Sequence, residues 1–341
     1  MEIVQCDDSR RAEWNAFVLG SPAAALYHRY EWRGVNASCL GHRSVYLAAI
    51  DEGRVVGVFP IVQVKSPLFG NIACSLPFVN YGGPAGESIA IEEALVEAAK
   101  PIVTGWRVNY LEIRSRRPLK SLPTSGHKVS MTVDLNPDPD VLWKAFTTAH
   151  RQDIRKGYKR GLVARIAGVE LIHDFYTVLS ESWRDLGTPI YSRRYLETVA
   201  RTFPDLTRIC VVYKGEEPAA ASLDMIGGGT VEGFWLGSRA RFRNDHAGYV
   251  LYWELIKSAC EAGAKQFHLG RSSVQSGGET FKKKWNAYAT QLYWQYVMKT
   301  GQPIPQLNVA NPRYRLAIKA WQQLPVPVTQ VIGPLIARNI P

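Results

Sequence analysis

Apolar residues recur along this chain in two rhythms, and the points where one gives way to the other mark its elements. Trp14, Phe17 and Val18 share a face between Ser9 and Leu19, which predicts an amphipathic helix capped by Asp8 or Ser9. After the Ser21-Pro22 break, Ala23 to Val35 predicts a second helix with an aromatic face that includes Tyr27, Tyr30 and Trp32. Val45–Ile50 and Val55–Val64 are rich in β-formers and flank Asp51-Glu52-Gly53, the composition of a hairpin turn. A Gly- and Pro-dense stretch then holds one short strand, Ile72 to Leu76, followed by a helix over Ile89–Val103, a buried strand at Tyr110–Ile113 and a period-two strand at Lys128–Leu135.

The same order then begins again. A long helix is predicted over Pro139–Lys159, helices over Glu170–Asp185 and Arg193–Thr202, and strands over Arg208–Tyr213, Ala219–Ile226 and Thr230–Leu236. Tyr249–Ala262 keeps Leu251, Leu255, Ile256 and Ala259 together and sets Glu254, Lys257 and Glu261 opposite, an ordinary half-buried helix. It leads into the buried strand Gln266–Leu269. In both halves a hairpin with Gly at its turn (Gly53; Gly215) precedes a third strand, a helix and a short strand ending in arginine (Leu111–Arg114; His268–Arg271). The offset of about 160 residues points to an internal duplication. The expected fold class is therefore α/β (α+β) with two tandem domains, 1–135 and 136–300, and a Pro-rich extension, 301–341, with a helix at Arg313–Gln323 packed on the body.

Length and composition agree with this division, since 341 residues with 46% hydrophobic content suffice for two cores. No apolar run is long enough to cross a membrane, and the N-terminus MEIVQCDDSRR lacks the apolar stretch of a signal peptide, so the expected location is the cytoplasm. Cys6, Cys39, Cys74, Cys210 and Cys260 are scattered in apolar runs, the pattern of reduced core thiols, and neither they nor the histidines show metal-ligand spacing. The net charge of +11 favours a polyanionic partner such as RNA, a nucleotide-linked substrate or an anionic surface, although solubility alone also accounts for such a charge. Part of it gathers in Arg151, Arg155, Lys156 and Lys159 on one predicted helix, where an anion-binding face and a merely solvated one are equally consistent with the pattern.

The most distinctive stretch is Gln266–Trp285, QFHLGRSSVQSGGETFKKKW: a buried strand that becomes a Gly-rich, basic segment, the composition of an anion-binding loop. With Lys65-Ser66-Pro67-Leu68-Phe69-Gly70, Ser75-Leu76-Pro77-Phe78-Val79-Asn80-Tyr81-Gly82-Gly83, Arg184-Asp185-Leu186-Gly187-Thr188-Pro189-Ile190-Tyr191, Gly270-Arg271-Ser272 and Phe281-Lys282-Lys283-Lys284-Trp285, it resembles the FemAB-related proteins of the PEP-CTERM/exosortase type, and more broadly the duplicated GNAT acyltransferase fold of the Fem peptidyltransferases. The resemblance implies a transferase in which an amine attacks an activated acyl group, with aminoacyl-tRNA or acyl-CoA as co-substrate and no bound cofactor. It also implies an acceptor side in the N-terminal domain and a donor side in the C-terminal one.

Such a reaction develops a tetrahedral oxyanion and releases an amine proton, so it calls for a fixed cation or N–H donor and a proton acceptor. The Phe-Lys pair that serves transfer in Fem enzymes matches Phe281-Lys282, which makes Lys282 the candidate for the oxyanion or a donor phosphate, with Arg271 next to it. Asp185 is a candidate base, if it is not simply paired with Arg184, and Tyr191 a candidate donor to the leaving oxygen. Asn80, Tyr81, Arg184, Phe281 and Trp285 are candidates to contact substrate, and Arg151, Arg155, Lys156 and Lys159 to contact donor phosphates. His246 beside Asp245 is a further base candidate; the two lie where ordinary GNATs carry a pyrophosphate loop, which here reads RFRNDHAG, and Asp245 is expected to repel a diphosphate. The acceptor is expected to be an amine-bearing small molecule, a peptide or an envelope or exopolysaccharide precursor. Two other readings stand beside it: a non-catalytic binder of an anionic envelope precursor, and an RNA-binding protein.

Overall fold

Strand-forming residues gather into hairpins in both halves of the chain. The computed structural model describes residues 1–67, 70–120, 122–299, 302–305 and 312–340, so Leu68 and Phe69 of the Lys65–Gly70 motif lie outside the described residues. The chain divides into two compact units, one of 1–129, 291–306 and 338–341, the other of 130–290 and 307–337.

In the first unit the strands are β1 (Glu2–Gln5), β2 (Arg43–Asp51), β3 (Arg54–Ser66), β4 (Gly70–Ser75), β5 (Ala85–Gly86) and β6 (Tyr110–Ser115), and the chain leaves through β7 (Thr124–Asp134). The order β1-β2-β3-β4-β6 is antiparallel as far as β4, which then pairs with β6 in parallel at Ala73↔Leu111 and Cys74↔Glu112. Glu52 and Gly53 both take left-handed conformations, as a two-residue type I′ turn requires. The helices are α1 (Arg11–Gly20), α2 (Trp32–Leu40) and α3 (Ile89–Gly105). Leu95, Val96, Ala99 and Val103 of α3 join Phe59, Ile61, Leu111 and Ile113 in one core, and Trp14, Phe17 and Tyr46 form another.

The second unit repeats the plan with β8 (Leu162–Ala167), β9 (Thr207–Lys214), β10 (Glu217–Gly227), β11 (Thr230–Ser238) and β12 (Gln266–Ser273), in the order β8-β9-β10-β11-β12. Here too the last pair is parallel, Thr230↔Gln266 to Glu232↔His268. Leu111–Arg114 and His268–Arg271 thus occupy equivalent strands, as the duplication predicts. The helices of this unit are α4 (Pro139–Ala145), α5 (Thr148–Lys159), α6 (Ile172–Leu186), α7 (Arg193–Thr202), α8 (Ala247–Glu261), α9 (Gly277–Lys283), α10 (Pro312–Gln322) and α11 (Val326–Ala337). The last strand, β13 (Tyr288–Met298), pairs antiparallel with β6 through Tyr293↔Ser115 to Met298↔Tyr110. The contact division therefore differs from three consecutive blocks ending at 135, 300 and 341, because residues after Gln291 supply a strand to the first unit.

Several local expectations need correction. The helix expected over 23–35 is a 3₁₀ turn at Leu26–His28 followed by α2, and Asp7, not Asp8 or Ser9, caps the turn that leads into α1. The helix expected over 139–159 is broken, because Phe146 and Thr147 are extended and the Thr147 hydroxyl accepts from the His150 amide at 3.2 Å, starting α5 anew. Thr147→Ala should cost about 1 kcal/mol in a urea titration, and no change in the midpoint would show the break to be held by packing alone. The basic segment expected as a loop contains α9, since the Ser276 hydroxyl accepts from the Glu279 amide at 3.2 Å and so caps a helix. Asp185 lies in the last turn of α6, which ends where Gly187 takes a left-handed conformation. The Pro-rich extension forms α10 and α11, both packed on α6.

Candidate functional site

In the second unit the pairing of β11 with β12 ends at Glu232 and His268, and the rest of β12 carries the chain to α9. Gly270 takes φ +79°, a conformation that costs glycine little and tilts its carbonyl out of the regular strand pattern. The Lys282 ammonium donates to the Gly270 carbonyl at 3.0 Å and to the Arg271 carbonyl at 2.9 Å. The three consecutive lysines have three different surroundings: Lys282 is buried, Lys283 pairs with Glu279 at 2.7 Å, and Lys284 is exposed. Burial, with the nearby Arg271 charge, lowers the Lys282 pKa to about 8. The site thus holds a largely desolvated cation fixed to the backbone at the end of β12, next to Arg271.

Aromatic rings pack around Phe281 and Trp285. Trp285 is 0% exposed, lies parallel to Tyr252 at 5.4 Å between centroids, and meets Phe146 at 5.6 Å and His150 at 4.3 Å edge-on. Phe281 meets Tyr249 and Tyr252 edge-on at 5.6 and 5.3 Å. His150 was missed as an individual residue, having been read as part of a basic stretch. It is buried, both ring nitrogens lack a hydrogen-bond partner among the described residues, and burial with the Lys284 charge lowers its pKa to about 4, so the ring is neutral. Its signal in the sequence is the spacing His150, Ile154, Gly157, the buried face of α5. Asp224 on β10 was also missed: burial raises its pKa to about 7, Ser222 donates to one carboxylate oxygen at 2.8 Å, and the other lacks a partner among the described residues.

Most of the remaining sequence candidates have partners of their own. Arg184 holds the Asp185 carboxylate at 2.7 Å and donates to the Leu324 carbonyl at 3.0 Å, while Gln322 donates to the Asp185 carbonyl at 2.8 Å. Tyr191 packs against Trp183, Tyr195 and Trp235 at 5.7, 5.3 and 6.0 Å. Arg151 donates to the Trp143, Lys144 and Phe146 carbonyls at the end of α4, and Arg155 lies 5.4 Å over the Trp143 ring. Lys156 pairs with Asp153 at 3.1 Å, and Lys159 is exposed. Asp245 pairs with Lys214 at 2.9 Å and with Arg160 at 3.9 Å, which offsets its charge. His246 is left-handed at φ +63° and opens α8 with no side-chain cap.

In the first unit, a cleft of 990 Å³ is lined by His28, Tyr81, Glu92, Ser115, Arg116 and Arg117, among others. Tyr81 lines it with Arg116 stacked 5.1 Å over its ring, whereas the Asn80 amide turns to the Tyr27 hydroxyl at 2.7 Å. Arg116 also donates to the carbonyls of Pro22, Ala23 and Ala24, each at 3.0 Å.

Residues 145–283, all within the second unit, match the family model described as "Acetyltransferase (GNAT) domain". No curated protein matches the chain in sequence. Among solved structures, FemX superposes with a TM-score of 0.66 at 16% identity over 86% of this chain and 97% of its own. The C-terminal domain of a putative lysylphosphatidylglycerol synthetase from Agrobacterium fabrum gives 0.57 at 14% identity over 86% and 92%. A tandem GNAT protein from the clavulanic acid biosynthesis pathway gives 0.51 at 13% identity over 86% and 97%. The fold is thus that of two tandem GNAT-like units.

Proposed function

We propose that the protein is an N-acyltransferase that passes an aminoacyl group from aminoacyl-tRNA to an amine. The observation that carries this reading is Lys282, a desolvated ammonium fixed by two backbone carbonyls at the end of β12. In the reaction the amine adds to the ester carbonyl, Lys282 stabilises the resulting oxyanion or a donor phosphate, and collapse forms the amide while the tRNA oxygen departs with the proton the amine gives up. Arg271 adds positive charge beside it, and Phe281 and Trp285 hold α9 so that Lys282 faces inward. Acceptor recognition falls to the cleft of the first unit, with Tyr81 and Arg116 on its wall. The acceptor class is an amine-bearing small molecule, a peptide, or an envelope or exopolysaccharide precursor, in keeping with the PEP-CTERM-type resemblance. The name of the lysylphosphatidylglycerol synthetase, which describes an aminoacyl product, supports the donor class.

A specific observation favours a second donor, an acyl-CoA thioester. With Asp245 compensated by Lys214 and Arg160, and α8 starting without a side-chain cap, the start of that helix suits a diphosphate. Product formation from charged tRNAs, with and without RNase, beside acetyl-CoA separates the two. Transfer from tRNA that RNase abolishes and rising salt weakens is expected. RNase-resistant transfer from the thioester would reassign the donor to CoA.

A further inference from the structure

Helix α11 buries its small residues and exposes several of its large ones. Its buried positions are Thr329, Gly333 and Ala337, small or polar residues at helical spacing. The backbone at Gly333 comes so close to Ile190 that a Cβ there would lie 3.0 Å from the Ile190 carbonyl oxygen, and Gln330 donates to the Ser180 hydroxyl at 3.1 Å. Three bulky apolar residues point the other way, Val328 at 40%, Val331 at 71% and Leu335 at 61% exposed, again at helical spacing, while Val326, Ile332 and Ile336 are half-buried. A helix that only completes a soluble core shows the reverse arrangement. An outward stripe of this kind marks a contact surface.

Charge identifies what the stripe meets. From Pro312 to the last residue the chain carries four cations, Arg313, Arg315, Lys319 and Arg338, and no carboxylate side chain. On α10 the exposed Arg315 and Lys319 flank Leu316, itself 71% exposed, so this helix too turns a mixed apolar and basic face to solvent. A terminal segment that exposes apolar side chains and carries arginine and lysine but no acid suits the boundary between headgroups and acyl chains of an anionic bilayer, where apolar side chains insert and cations meet phosphate. No helix among the described residues is long and apolar enough to cross a membrane, so the contact is with the surface of the bilayer.

We propose that α11, with the basic face of α10, docks the protein on an anionic lipid surface. The test is co-sedimentation of the full chain with vesicles of equal parts phosphatidylglycerol and phosphatidylcholine, against vesicles of phosphatidylcholine alone. Binding to the anionic vesicles should exceed binding to the neutral ones and weaken with salt. The double variant Val331→Asn/Leu335→Asn should bind at least about tenfold more weakly, since it removes most of the inserted apolar area. Its thermal unfolding should match that of the unaltered chain because both side chains are exposed, and Val331→Phe should bind more tightly. No binding to anionic vesicles, or binding indifferent to all three substitutions, would overturn the proposal. So would a concentration-dependent dimer that the double variant dissolves in a chain that ignores vesicles, which would make the stripe a contact between copies.

Discussion

Lys282→Ala should lower kcat/KM by about 10²-fold or more, the scale on which one preorganised donor to a developing oxyanion contributes. Lys284→Ala, which removes an exposed neighbour in the same run, should leave the rate close to that of the unaltered enzyme. Equal and small effects from the two would assign the whole run to solvation. The pH dependence gives a second readout. Lys282 must be charged to act on an oxyanion, and its pKa is lowered to about 8, so the rate should fall as pH rises through that value. Lys282→Arg keeps a charge at all working pH values and should lose that falling limb. Stability should move oppositely: the folded chain releases this proton near 8 and the unfolded chain only near the ordinary 10.5, so this group makes the fold more stable as pH rises between the two.

Trp285→Ala should destabilise the protein by about 3–5 kcal/mol, the usual cost of emptying a large buried aromatic site. Trp285 has no exposed surface, and its ring joins Tyr252, Phe146 and His150 to the end of α9. Its loss should lower the denaturant midpoint and also the transfer rate, because Lys282 stands one turn before it on the same segment. Trp285→Phe should recover most of both. A Trp285→Ala protein with an unchanged midpoint but weaker substrate binding would instead make Trp285 a substrate contact.

The duplicated plan was legible in the sequence because hairpin turns and buried strands depend on neighbours in the chain. Gly53 and Gly215 mark turns whatever surrounds them, and the runs of β-forming apolar residues beside them read as buried strands. The strand β13 was missed because its partner, β6, lies far away in sequence, and α11 because its buried face is made of small residues while Val328, Val331 and Leu335 are exposed. At the site, Phe281-Lys282 stood out as a motif, but the inward turn of Lys282 follows from Gly270 and the cap at Ser276, which a composition reading counts as loop residues. Arg151 and Arg155 read as a phosphate-binding face, yet the break at Phe146 and Thr147 gives them the carbonyls and the tryptophan of α4 to serve. Asp224 and His150 gave little signal because each lies in a buried stretch of its element with no motif around it, and their altered proton affinities come from tertiary burial.

Amide formation through Lys282, as proposed, leaves a product that can be looked for directly. The most direct test is mass-spectrometric detection of new amides when the purified protein meets charged tRNAs or acyl-CoAs together with a panel of amines and amine-bearing envelope precursors. An acylated amine that is lost in Lys282→Ala and kept in Lys284→Ala is the expected result. Binding of a precursor with no amide formed from any donor would contradict it and make the protein a non-catalytic binder.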